Sequence, residues 1–200
     1  MALCTGLLSV GVRPQAAETQ LESGQPPTLM PVAIRVMLVP STFIVLRFEH
    51  RDDEAYEAHS KVLELDPEFS EAYSECGLTL THQYKFAAAI ADLEAAKRID
   101  NSPRPVALLG YGYGIAGERN RARTALRDLQ SVHDSVYVGL WAEAIVHIGL
   151  GENDEAFRLL GQALQEHSAD CTALKVDTIY DPLRSDPRFR DLLHRTGLPQ

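Results

Sequence analysis

From Arg51 onward, apolar residues fall on one stripe of a helix, break, and resume, and this rhythm is repeated several times. Helices are predicted over Glu71–Gln83 and Phe86–Ile99, over Pro105–Ile115 and Arg119–Leu129, and over Val138–Leu150 and Asn153–Glu166. An earlier helix begins at Asp52 and Asp53, where acids suit a helix start. It carries Ala55, Val62 and Leu65 on one side and stops at Pro67. Near the end of the chain Asp186 is placed to cap a helix and Pro187 suits its first position, with Phe189, Leu192 and Leu193 as its apolar face. Gly197 and Pro199 stop it. Cys171–Tyr180 has no clear period and reads as irregular.

The paired helices are copies of one unit. Alanines stand at Ala55, Ala89, Ala122 and Ala156, spaced by 34, 33 and 34 residues, and Gly77, Gly110 and Ala144 keep the same step. Gly117 and Gly151 differ by 34. Large residues recur at Leu80, Tyr113 and His147, and at His59, Leu93, Leu126 and Leu160. A period of about 34 residues, with small and large positions in fixed order, marks a helical solenoid. The best copy runs Leu109, Gly110, Tyr113, Gly117, Ala122, Leu126. In that order and period the chain resembles the tetratricopeptide repeat (TPR) family from about Arg51 to Gln200. Other copies depart from the pattern, since Tyr84 replaces the turn glycine and Pro67 is the one well-placed closing proline. The tail, Leu174-Lys175-Val176-Asp177 and Asp181–Phe189, is similar to the closing segment of some bacterial multi-repeat TPR regulators, whose repeats follow a winged-helix or kinase domain. The expected architecture is all-α, a right-handed solenoid of antiparallel helix hairpins with a C-terminal capping helix.

Packing explains the residue types. Two antiparallel helices approach to about 8–10 Å only where contact side chains are small, which suits Gly110 on one helix and Ala122 on the next. Tyr113 and Leu126 fill the flanking gaps, and Gly117 lets the chain reverse. A single hairpin leaves its apolar face open, so copies stack and a terminal element covers the last face.

Four parts follow: a poorly patterned segment and linker over 1–30, a degenerate first repeat over 31–67, repeats over 68–170, and a cap over 171–200. Pro31–Phe48 is the most apolar stretch, but Arg35, Pro40 and Arg47 interrupt it, and its uncharged run falls short of the roughly 20 residues a membrane span needs. It reads either as a degenerate helix or as a strand-like segment packed on the array. Leu7–Val10 lacks a preceding basic residue, which disfavours a signal peptide over 1–20. Cys4, Cys76 and Cys171 show no paired spacing, a usage that suits a reducing compartment such as the cytoplasm. With 45% apolar and 24% charged residues the composition is that of an ordinary globular chain. A formal net charge of −9 argues against direct binding of nucleic acid.

Chemistry has few footholds. Gly112-x-Gly114-x-x-Gly117 spells a dinucleotide fingerprint, and an NAD-dependent enzyme is the corresponding alternative. That motif needs a strand before it, here Val106–Leu109 pinched between Pro105 and Gly110, and an acid after the next strand, where Val136–Leu140 is followed by none before Glu143. Gly117 and Ala122 also recur as Gly151 and Ala156, which assigns the glycines to the repeat. His167 and Cys171 stand four apart without the further ligands a zinc site wants. No cofactor, metal or catalytic set is expected.

What the TPR resemblance implies is an interaction scaffold for a protein or peptide partner, held on the concave face that the first helix of each hairpin lines. A second implication is the sensory or oligomerisation half of a bacterial transcription regulator or kinase. Carried over position by position, the face comprises Ser74, Leu78, Thr81 and His82, then Ala107, Tyr111 and Gly114, then Trp141, Ile145 and Ile148, with Arg104 beside them as the nearest basic residue. The lysines and asparagines with which the family's best-known members clamp a terminal carboxylate are missing there. Tyr111 and Trp141 stand instead as aromatic anchors, with Trp141 fitting core and groove equally well.

Overall fold

In the computed structural model, described over residues 45–132, 139–166 and 173–197, every regular element is helical. After a helical turn at 45–48 come α1 (Asp52–Leu65), α2 (Ser70–His82), α3 (Phe86–Ile99), α4 (Pro103–Ile115) and α5 (Arg119–Val132). There follow α6 (Leu140–Leu150), α7 (Asn153–Gln165), a 3-10 segment (Thr178–Leu183) and α8 (Pro187–Arg195). Residues 1–44, 133–138, 167–172 and 198–200 lie outside the description, and with them the first part (31–44) of the stretch expected to be a degenerate first repeat, the His167–Cys171 pair and Pro199.

Neighbours in sequence pack as hairpins, α2 on α3, α4 on α5 and α6 on α7. The first helices also touch one another, α2 on α4 and α4 on α6, which stacks the hairpins into the expected TPR-type array. The dinucleotide reading fails on geometry: Val106–Leu109 is the interior of α4, and Gly110, Gly112 and Gly114 continue the same helix. Its glycines serve close packing. A Cβ on Gly114 would lie 2.4 Å from the backbone carbon of Gly149, and one on Gly149 would lie 2.5 Å from the carbonyl oxygen of Tyr111. The backbones of α4 and α6 therefore meet with no side chain between them. Gly110 likewise faces Val146 and Ala125, and Ala122 is fully buried. No described helix is long and apolar enough to cross a membrane.

One turn is used four times. In each, a residue with left-handed backbone follows the first helix, and the next amide donates to a carbonyl five residues back. Gly117 (φ 82°) and Gly151 (φ 72°) hold the turn with Glu118 N–H to Tyr113 O and Glu152 N–H to His147 O. Tyr84 (φ 59°) and His50 (φ 56°) hold it with Lys85 N–H to Leu80 O and Arg51 N–H to Leu46 O. The turn at His50 extends the period one step towards the N-terminus, so α1 is the second helix of a further hairpin. At the other end Asp186 accepts from Arg188 N–H and caps α8, with Pro187 in its first turn.

Candidate functional site

The first-helix face is where the sequence pointed. Ser74, Leu78 and Thr81 of α2, Ala107 and Tyr111 of α4, and Trp141, Ile145 and Ile148 of α6 are all buried. The remaining positions stay accessible: Gly114 and His82 are partly exposed, and the Arg104 side chain keeps 42% of its surface. Trp141, at 7%, takes the core side of the choice the sequence left open.

Part of the cover is the chain's own C-terminal segment. Tyr180, itself 1% exposed, accepts a hydrogen bond from Trp141 Nε1 at 2.8 Å. Three residues earlier, Asp177 Oδ1 accepts from Arg47 Nη1 at 2.7 Å, and Thr178 Oγ1 accepts from the same nitrogen at 2.8 Å. Arg47 also donates through Nε to Glu75 Oε2 of α2 at 2.9 Å. Thr178 Oγ1 lies 3.3 Å from His82 Nδ1; having accepted from Arg47, the hydroxyl has its proton left for a neutral imidazole. Leu174, Ile179 and Leu183 supply the apolar part of the segment, all fully buried. Residues 177–183 thus reach from the Arg47–Glu75–His82 corner at the N-terminal side of the face to Trp141 on α6.

The electrostatics are those of a sealed seam. Burial alone would lower the Arg47 pKa, but the facing carboxylates of Glu75 and Asp177 raise it further than burial lowers it, so the guanidinium stays charged. Burial holds the His82 imidazole below its ordinary range, with Arg47 adding to the effect and Asp52, Asp181 and Asp177 opposing it. The Tyr111 hydroxyl is pushed up, first by burial and then by Asp177 and Asp181, with Arg47 acting the other way. Arg104 extends the network: it pairs with Glu71 at 3.3 Å, lies 3.6 Å from Glu75 Oε1, and stacks 5.5 Å above the Trp141 ring.

Arg47 was missed by the sequence reading, though the signal was present. It stands 34 residues before Thr81, and Thr81, Gly114 and Ile148 continue the series, so Arg47 is the face position of the first copy. Elsewhere the chemistry is quiet. Cys76 is buried and its thiol is pushed up to about 12, chiefly by desolvation, so it stays protonated. His147 Nδ1 donates to Glu152 Oε2 across the α6–α7 turn at 2.9 Å, a local contact.

Among solved structures, the chain is similar to a tetratricopeptide repeat protein from Parabacteroides merdae ATCC 43184, at 14% identity over 91% of this chain and 69% of that one, with a TM-score of 0.48. It is also similar to YrrB, described as a TPR protein with an unusual peptide-binding site, at 17% identity over 77% of this chain and 82% of that one, with a TM-score of 0.41. No protein-family model matches the chain, and no curated protein does.

Proposed function

We propose that this chain is a non-catalytic protein-interaction scaffold whose first-helix face receives an extended segment or helix of a protein partner. One observation carries the reading: that face already holds a polypeptide segment, through a charge cluster at one end and an aromatic hydrogen bond at the other. Surfaces that grip a chain by one desolvated charge and one aromatic anchor are those in which binding energy concentrates. Arg104, half exposed beside Trp141, is the accessible cation of the face and the residue a partner meets first.

Affinity capture from the native cell, quantified by mass spectrometry, tests the proposal with the parent and with Arg104→Glu in parallel. Arg104 lies at the rim of the face, so the variant keeps its fold, which circular dichroism checks. A partner enriched by the parent and reduced about tenfold by Arg104→Glu is expected, corresponding to roughly 1.4 kcal/mol. Equal recovery of every captured protein by both baits sinks the reading.

A further inference from the structure

We infer that the face recognises segments in which an acidic residue stands three positions before an aromatic hydroxyl, and that Asp177–Leu183 is the chain's own, displaceable copy of that ligand. This rests on the scaffold reading above and gives it a ligand chemistry.

Contacts at the start and the middle of the segment define the motif. Asp177 meets Arg47, and Tyr180 meets Trp141 Nε1. Between them Thr178 bridges Arg47 to His82. A segment that serves only as permanent core has no need of this arrangement, because a buried ion pair adds little to stability over apolar packing while rejecting occupants that lack the matching charge. The fit is also incomplete: Nε2 of His82 is buried without a hydrogen-bond partner at the seam.

The segment carries its own shape. Arg184 donates to the carbonyls of Lys175 and Asp177 at 2.9 and 3.1 Å and to Asp181 Oδ1 at 2.6 Å, and Asp177 Oδ1 accepts from Ile179 N–H at 3.0 Å. These bonds lie within residues 175–184, so the bend survives departure from the groove and the segment leaves and returns as a unit. Held in the same chain, it competes at an effective concentration on the order of millimolar. A partner must therefore match its chemistry and exceed that concentration in effect, through higher affinity or a second point of attachment.

Two measurements test this. Hydrogen exchange on the parent protein reads whether the segment opens by itself. Amides of residues 177–186 are expected to exchange about a hundredfold faster than those of α4 and α6, as for a separately opening unit. Exchange of all three in one cooperative step overturns the inference.

The second uses a fluorescein-labelled peptide of residues 173–186 and the full-length double variant Asp177→Ala/Tyr180→Ala, whose own segment lacks both anchors. Fluorescence anisotropy is expected to show the peptide binding this variant about tenfold or more tighter than the parent. A peptide carrying the same two alanines should lose that gain. A helical, folded variant that takes up neither peptide refutes the inference, and should the variant fail to fold, exchange on the parent decides. Failure here with Arg104→Glu still lowering partner capture removes the ligand motif and leaves the scaffold; failure of both removes both.

Discussion

Gly149→Ala probes the contact on which the stack depends. An alanine Cβ there would sit 2.5 Å from Tyr111 O and 2.9 Å from Tyr111 Cα, whereas ordinary contact begins at 3.4 Å. The shortfall of about 0.9 Å is against backbone, which cannot rotate away, so α4 and α6 must separate. Overpacking of this kind costs about 1–3 kcal/mol, and a gap of that width forfeits a quarter to a half of each dispersion contact along the helix pair. The top of that range applies here, since Gly114 faces Gly149 at the same crossing. Helix propensity opposes it, because alanine is favoured over glycine in a helix by about 1 kcal/mol. The net expectation is a loss of about 2 kcal/mol, or roughly 4–8 °C in Tm for a chain of this size. Gly161→Ala supplies the matched control. Its Cβ would meet only the Arg195 guanidinium, at 3.4 Å, so propensity acts unopposed and stability should rise by up to about 1 kcal/mol. Urea unfolding followed by far-UV circular dichroism measures both. If Gly149→Ala is as stable as the parent, the backbone contact between α4 and α6 is not what the glycines are for.

Two further outcomes are expected. Arg47→Met leaves Asp177 without its cation and Glu75 with only Arg104, 3.6 Å from its other oxygen, and removing one partner of a buried pair costs about 3–5 kcal/mol; a loss under about 1 kcal/mol in urea unfolding would place the cluster in water. Asp92 gives a pH signature: burial pushes its carboxyl up to about 6, above the roughly 3.9 of an unfolded chain. A raised folded pKa favours the fold at low pH, and the advantage disappears as pH rises through 6, so the ionised group opposes folding at pH 7.5. Asp92→Asn should therefore stabilise at pH 7.5 and lose that effect by about pH 4, and a difference that is flat across this window refutes the assignment. In the Asp92→Asn background His59 and His82, both held below their ordinary value by burial, contribute a slope of the opposite sign. Their contribution is whole above about pH 6.5 and is lost as pH falls below it.

How much was legible follows from what repetition records. The helices, the hairpin partners and the small residues at their contacts all recur every 33 or 34 positions, and the sequence reading found them nearly residue for residue. The turns were half visible. Gly117 and Gly151 announce left-handed backbone by their type, whereas Tyr84 and His50 adopt the same conformation without it. There the hydrogen bond from the following amide and the demands of the stack override the residue's own preference, which costs about 1–2 kcal/mol. Arg47 was hidden for a related reason. Its series continues as Thr81, Gly114 and Ile148, four residues with no chemistry in common, so position rather than type was the only thread.

The occupied face was beyond reach of any periodic argument. Arg47 and Asp177 are 130 residues apart, and Trp141 and Tyr180 are 39 apart. Neither interval is a multiple of the repeat, and neither Asp177 nor Tyr180 belongs to a copy. A repeat dictates what each hairpin must present to its neighbour, and it is silent about an element that crosses several hairpins at once. Such an element is specified by a few single residues, here a carboxylate for a guanidinium and a phenol for an indole. On the proposed reading, the periodic residues build the surface, and the unrepeated ones decide what lies on it. Variants of the first kind, such as Gly149→Ala, should change stability along with binding. Changes at Asp177 and Tyr180 should alter occupancy while α2, α4 and α6 keep their stack, and that separation is what exchange and peptide uptake measure.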